Sequence, residues 1–564
     1  MTQAERKNSI VHFTFDGKKM NGIELILIAL VAYIVGYKLY GGFVTRRLDV
    51  NNVKETPSHT MYDGVDYCPA KAPVLLGHHF ASIAGAGPIV GPVIAAGFGW
   101  IPVYLWVVFG AIFIGGVHDY SSIVASVRHQ SKSIGFVIQS YIGVSGKKLF
   151  LIFAWATMIL VIAVFTIIVA DTFTHIPSAG TSSILFMILA VFFGITIYRL
   201  NVPLWIATIV GVILLFLSIP AGNLFPIQLD GLTWQIILFG YIFVASTVPV
   251  WILLQPRDYL NSFFLYALML GGLIGILFAA PTINIPAFNS FSLDKVGYLF
   301  PALFVTVACG AISGFHSIVG SGTTAKQLNK ESDGRVIGYG GMLIEGLLAI
   351  LSLIAVASMV NEEFINILTT KGPVPAFSLG VARFINAIPV LNISIPLAET
   401  FTALAVSAFA LTSLDTATRL ARFMLQEFFE TSTKSEKPAF VTNRFVATAI
   451  TIAFGAALTF SGKTMSIWPV FGSANQLLAA LALLALTVWV ANLKKGYLFV
   501  MIPMLFMFAV TLTALGMLVY QNFLIDNYTL SIISILLFTL AVLLGIKAYN
   551  VLINGKNLVS ETAN

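Results

Sequence analysis

Charge is scarce in this chain: Asp, Glu, Lys and Arg make up 10% of its 564 residues, against about 25% in soluble domains. Cysteine is scarcer still, with Cys68 and Cys309 alone. Two cysteines cannot build a disulfide framework, and no zinc-ribbon spacing occurs. The first twenty residues are polar, with Arg6, Lys7, Lys18 and Lys19, and carry no cleavable signal pattern, so the first apolar run should itself act as the insertion signal. No loop exceeds about 40 residues or is rich in Ser, Pro or one charge, so no attached soluble domain is expected. Enzyme motifs are missing too: HExxH and GxSxG do not occur. Ser461 to Thr464 (SGKT) ends like a phosphate loop, but Ala457 stands where the first glycine is required. The expectation is no enzyme and no cofactor.

What is present is apolar: 58% of residues are hydrophobic and the mean hydropathy is +0.92. No soluble core buries that much. A membrane helix needs about 20 apolar residues, and about fifteen such runs follow one another, near 21–40, 78–97, 100–127, 149–170, 183–198, 201–220, 232–254, 259–280, 298–325, 336–360, 395–425, 444–461, 466–492, 498–520 and 529–548. The partner of the chain is therefore the lipid bilayer. The net charge of +7 does not imply nucleic acid, because the basic residues sit in short loops, where they set orientation. With the N-terminus outside, roughly 22 Lys and Arg fall on the cytoplasmic side and about 8 on the other. That asymmetry predicts an N-terminus outside and a C-terminus in the cytoplasm of a bacterial-type inner membrane. Lys371 to Val390, broken by Pro373 and Pro375, reads as an outer re-entrant or interfacial segment.

Transporters often hold two repeats of opposite topology around helices interrupted near the midplane. The expected division is 78–220 for the first repeat and 232–425 for the second, with 444–548 as accessory helices. Each unit then opens with a breakable helix, through Gly85, Gly87, Pro88, Gly91 and Pro92 in the first and Pro249 in the second.

The densest motif is GHHFASIAGAGPIVGP, Gly77 to Pro92. Each proline lacks an N–H and obstructs the carbonyl four residues back, so Pro88 frees that of Ala84 and Pro92 that of Pro88. Freed carbonyls in a bilayer cost several kcal/mol unless something binds them. The candidate substrate or ion site is Ala84, Gly85, Gly87 and Pro88, with Ser313, Ser317 and Ser321, whose hydroxyls recur with Thr324 at helical offsets on one face. Close packing through the glycines and serines is the plain structural alternative.

Ionisable residues within apolar runs are expensive and point to function. His78, His79, His118, Asp119, His316, Glu345 and Asp415 qualify. A proton relay through His78, His79, His118, Asp119, His316 and Asp415 is expected, because imidazole titrates near neutral pH. Histidines satisfied by carbonyls at helix ends are the equal alternative. A metal held by His79, His118, Asp119 and Cys68 is a further alternative. Asp415 and Arg419 stand one helical turn apart and are expected to pair.

Six segments, CPAKAPVLLGHHFASIAGAGPIVGP, GVHDY, PVWILLQPRDYL, ACGAISGFHSIVGSGTTAKQL, LDTATRLARFMLQ and WPVFGSANQLLAA, resemble the carbon starvation protein A (CstA) family over most of the chain. The resemblance implies kinship with the amino-acid and polyamine permease superfamily and a leucine-transporter-like inverted repeat. It further implies uptake of short peptides, or of pyruvate by proton symport, under nutrient limitation. The coupling ion it implies is H+, with Na+ or a bound divalent metal as alternatives. His118 departs from the Gln of well-known members, and the chain is shorter than the longest of them.

Overall fold

The computed structural model describes residues 14–15, 18–63, 67–200, 202–248, 252–293, 296–429, 443–461 and 464–554. Among these the chain is almost wholly helical, with two short antiparallel hairpins besides. In a bilayer every backbone group must be satisfied within the chain, and helices do this one at a time. Among the described residues, twelve helices are long and apolar enough to cross a membrane, or thirteen if the bent pair Ala72–Ile83 and Gly87–Phe98 counts as one span.

In chain order the helices longer than one turn are α1 (Gly22–Leu48), α2 (Ala72–Ile83), α3 (Gly87–Phe98), α4 (Trp100–Arg128), α5 (Ile134–Ile142), α6 (Val144–His175), α7 (Pro177–Tyr198) and α8 (Leu204–Leu224). They continue as α9 (Gly231–Thr247), α10 (Leu254–Ala279), α11 (Leu299–Thr306), α12 (Gly314–Val319), α13 (Arg335–Ala357), α14 (Asn361–Thr370) and α15 (Pro373–Asn386). The last five are α16 (Ile395–Phe429), α17 (Arg444–Ser461), α18 (Thr464–Asn492), α19 (Leu498–Leu524) and α20 (Tyr528–Asn554).

Two expectations change. The run 298–325 is not one helix: α11 ends at Thr306, and α12 begins only at Gly314. The run 232–254 yields α9, only 17 residues long. Within Lys371 to Val390, the segment read as re-entrant or interfacial, Pro373–Asn386 forms α15, mostly buried against α10, α13 and α16. Pro249, with Gly462 and Lys463 of the SGKT stretch, lies outside the described residues.

Burial sorts the helices. The apolar windows of α6, α13, α16 and α18 are 78–94% buried, and those of α1, α8 and α17 only 28–33%. The outer helices therefore present residues such as Trp205, Ile209 and Ile213 outward, as lipid contact requires.

The basic loops gather at one end. Arg128 pairs with Glu331 at 2.7 Å, Lys147 with Glu427 at 2.6 Å and Lys495 with Asp49 at 3.0 Å. At this end Ala70, just before α2, bridges to Leu328, just after the α12 segment. At the other end Asn289, ahead of α11, donates its backbone N–H to Phe98, the last residue of α3. The two interrupted helices thus run in opposite directions.

Among the described residues, three π-helical segments, 111–115, 320–324 and 335–340, adjoin the half of α4 that follows Gly115, and a fourth, 36–41, packs against 111–115 and 335–340.

Candidate functional site: two helix breaks and a buried histidine–carboxylate cluster

The first break falls between Ile83 and Gly87, where the chain turns by 50°. Pro88 sits in the first turn of α3, so its missing N–H costs nothing there. It starts a helix rather than kinking one, and Pro92 lies inside α3. Ala84, Gly85, Gly87 and Pro88 are all buried. A Cβ on Gly87 would collide with Sγ of Cys309, and one on Gly91 would stand 2.6 Å from the Thr306 carbonyl. The absent side chains therefore let the two breaks touch. Beside Gly85 lies Ser413, whose buried Oγ has no partner.

The second break, 307–313, is satisfied by side chains. Trp106 Nε1 donates to the Val307 carbonyl at 3.2 Å and Trp468 Nε1 to that of Thr306 at 3.3 Å. Gln476 Nε2 donates to Phe304 and Ala308. Asn475 Oδ1 accepts from the Phe315 N–H at 3.1 Å and occupies Ser313 as well. Each freed carbonyl or N–H needs such a partner away from water. Ser313 is extended and caps α12 from outside it, so it does not share a helical face with Ser317 and Ser321. Those two hydroxyls bond back to the carbonyls of Gly314 and Ser317. This corrects the single-face reading.

Three of the expected relay residues meet. Asp119 accepts from His118 Nδ1 at 2.7 Å on one oxygen and from His316 Nδ1 at 2.8 Å on the other. On its far side, His316 Nε2 stands 3.3 Å from Glu345, outside hydrogen-bonding geometry, and both Glu345 oxygens lack partners. All four side chains are fully buried. His79 Nδ1 bonds Thr324 at 2.8 Å, and its ring interacts electrostatically with Asp119 and His316.

Asp415 departs from the expectation. It pairs with the buried Arg257 and accepts from Tyr241 at 2.9 Å, while Arg257 also holds Tyr241 at 2.6 Å and Asp258 at 2.9 Å. Arg419 donates instead to the carbonyls of Ala245 and Val248, and Arg422 to that of Ser246. Short α9 ends inside the protein, and these arginines satisfy its last carbonyls.

The expected metal set does not assemble as proposed: His118 and Asp119 bond each other, and half-buried Cys68 lies two residues before the Ala70 bridge at the basic end. Among the described residues, the His, Cys, Asp and Glu donors that converge are those of Cys309, His316 and Glu345, within 4.8 Å of one another. No spacing along the chain marks this set, since it joins a break, a six-residue helix and the middle of α13.

A cavity of about 1400 Å³ runs from the basic end, past Lys132, Lys326 and Arg419, to His78, Ser82 and Ser321 beside the first break. His78 therefore faces this cavity and not the buried cluster.

The family model for the carbon starvation protein CstA matches residues 21–370 and 363–514. The chain belongs to this family. CstA relatives include the peptide transporter CstA of Campylobacter jejuni, 31% identical over 88% of this chain and 80% of its own. The peptide transporter CstA of Escherichia coli is 32% identical over 88% and 81%. The pyruvate/proton symporter BtsT of Escherichia coli is 29% identical over 90% and 83%. The CstA assignment spans both helix breaks and the buried cluster.

Proposed function

We propose that this protein is a proton-coupled importer of short peptides or of pyruvate-like carboxylates. The observation that carries the reading is the large cavity that opens at the basic end and extends to Ser82, two residues short of the first helix break, whose own residues are buried. A path that stops short of a closed break is what alternating access requires of one state. The names of the relatives, peptide transporter and pyruvate/proton symporter, support both substrate classes and the coupling ion. The positive-inside rule makes the basic end cytoplasmic, so this state faces inward, with the N-terminus outside and the C-terminus inside a bacterial inner membrane.

In this reading the substrate carboxylate meets the N-terminal end of α3, where the helix dipole and free N–H groups favour an anion. Gly85 brings the backbone of the break against Ser413, whose hydroxyl is unused and available to the carboxylate, and Gly87 lets Cys309 close on the start of α3. Lys132, Lys326 and Arg419 line the way to the cytoplasm. The coupling proton is carried by the buried cluster: Asp119 holds His118 and His316 in place, and His316 faces Glu345.

The order of elements supports an inverted repeat with boundaries other than those expected. One unit has a broken helix (α2 and α3), a helix with a π segment (α4), a short helix (α5), a helix of 32 residues (α6), one of 17 (α9) and one of 26 (α10). The other has a broken helix (α11 and α12), a helix with a π segment (α13), short α14 and α15, then helices of 35, 18 and 29 residues. The units are then 72–279 and 299–492, with the α7–α8 hairpin inserted in the first.

The test is uptake by proteoliposomes holding the purified chain under an imposed proton gradient. Pyruvate or short peptides should accumulate, and a protonophore should abolish the accumulation. Equilibration without accumulation would mean a channel.

A further inference from the structure

His316 presents an unusual arrangement. Its Nδ1 donates to Asp119 at 2.8 Å, which fixes the neutral ring as the tautomer whose Nε2 carries only a lone pair. That lone pair faces the Glu345 carboxylate at 3.3 Å, off hydrogen-bond angle. Two lone-pair bearers at this distance repel unless something positive lies between them. The sulfur of Cys309 completes a triangle with them, all three donor atoms lying within 4.8 Å of one another.

We propose that Cys309, His316 and Glu345 form a binding site for one divalent transition-metal ion of borderline softness, Zn2+ being the best fit. In a tetrahedral zinc site with bonds of about 2.0–2.3 Å, neighbouring donors stand roughly 3.3–3.8 Å apart. The His316–Glu345 separation of 3.3 Å already meets that spacing, and closing the sulfur onto the ion needs a shift of about an ångström at most.

The surroundings have the parts that tune a metal ligand. Asp119 on Nδ1 of His316 makes a carboxylate–histidine–metal relay of the kind that orients the ring and raises its basicity. Asn475 Nδ2 points at the Cys309 sulfur from 3.8 Å, a donor that favours a thiolate. Both Glu345 oxygens and His316 Nε2 are buried without hydrogen-bond partners, which is costly unless a proton or a cation is present. Binding displaces the thiol proton of Cys309, which leaves to solvent as the Cys309–metal bond forms. Three protein ligands leave a fourth position for water or a substrate oxygen. A sulfur ligand selects against Mg2+ and Ca2+, which prefer oxygen.

The site shares His316 and Glu345 with the proton path, and a metal there would hold the place of the proton. The proposal itself rests on donor geometry and not on the transport reading, so the experiment is a binding one.

The purified full-length chain is titrated with Co2+ and Zn2+ in detergent. The expected result is one Co2+ per chain, with the intense visible bands of four-coordinate cobalt and a thiolate charge-transfer band, both displaced by Zn2+ and untouched by Mg2+. Cys309→Ser should remove the charge-transfer band and weaken Zn2+ binding at least tenfold, and Cys68→Ser should change neither. Weak octahedral cobalt spectra in the unaltered chain, or thiolate bands lost with Cys68→Ser and kept in Cys309→Ser, would overturn the site. Proton-independent uptake would sink the transport reading and leave this result standing.

Discussion

Asp119 and His316 are 197 residues apart in the chain, and their side chains meet at 2.8 Å in the fully buried centre of the fold. The carboxylate also holds His118 at 2.7 Å, so a single side chain ties the helix with the π segment to the second break. Asp119→Asn cannot accept both imidazole N–H groups as an anion. Gradient-driven uptake should fall at least about tenfold, the equivalent of 1.4 kcal/mol. Substrate exchange between equal proton concentrations should fall less. Equal loss of both, measured in proteoliposomes, would assign Asp119 to folding alone.

Asp415 neutralises Arg257, a fully buried cation. Asp415→Asn should therefore cost about 3–5 kcal/mol, the usual result of stranding one partner of a buried pair. The paired change Arg257→Met with Asp415→Leu should recover part of that loss, because the two fully buried charges go together and only Asp258, which lines the cavity, loses its partner. Thermal unfolding in detergent compares the single and double variants.

Gly87 is where the two breaks touch. Valine there must displace Cys309, and overpacking of this kind costs about 1–3 kcal/mol. Transport should be lost while the chain remains inserted and folded. Gly87→Ala combined with Cys309→Gly should restore part of it, since the alanine methyl then occupies the vacated sulfur position. Uptake and size-exclusion profiles of the two variants decide the matter.

Carboxylate capture at the start of α3 predicts discrimination between an acid and its amide. The amide of a transported acid should compete at least about tenfold more weakly, or 1.4 kcal/mol. Competition at equal strength would remove the anion from the site.

Glu363 and Arg383 join α14 to α15 at 2.5 and 3.0 Å. The hydrogen bond from Arg383 holds the Glu363 carboxyl below its ordinary value. A depressed carboxylate contributes stability above its unfolded pKa and loses it as pH falls through the folded one. The pair is partly exposed, so Glu363→Gln should cost less than about 1 kcal/mol at neutral pH. The difference should vanish in acid, below the ordinary carboxylate range, when melting temperatures are compared across pH.

Much of this was legible in the residues. Apolar runs located the helices because lipid enforces length and composition together, and Gly85 to Pro92 marked the first break through proline chemistry. The second break was hidden, for its carbonyls are freed without a proline in 307–313 and are held by Trp106, Trp468 and Gln476 from distant helices. Ion pairs followed the same rule. Arg419 sits one turn from Asp415, yet Asp415 takes Arg257, 158 residues away. Helical offset shows which residues share a face, and only packing shows what that face meets. Cys309 carried no signal at all, being one thiol in an apolar run.

The π segments in and beside α4 have a mechanical consequence. A π turn holds one residue more than its neighbours, and passing that residue along a helix rotates everything beyond it by about 100°. The hydrogen-bond ladder re-forms behind the moving bulge, so the helix need not melt to turn. Segments 111–115 and 320–324 lie directly beside the stretches that carry Asp119 and His316. The joint between those two side chains is therefore mounted on two screws with thread to spare, and its opening demands a twist rather than a rupture.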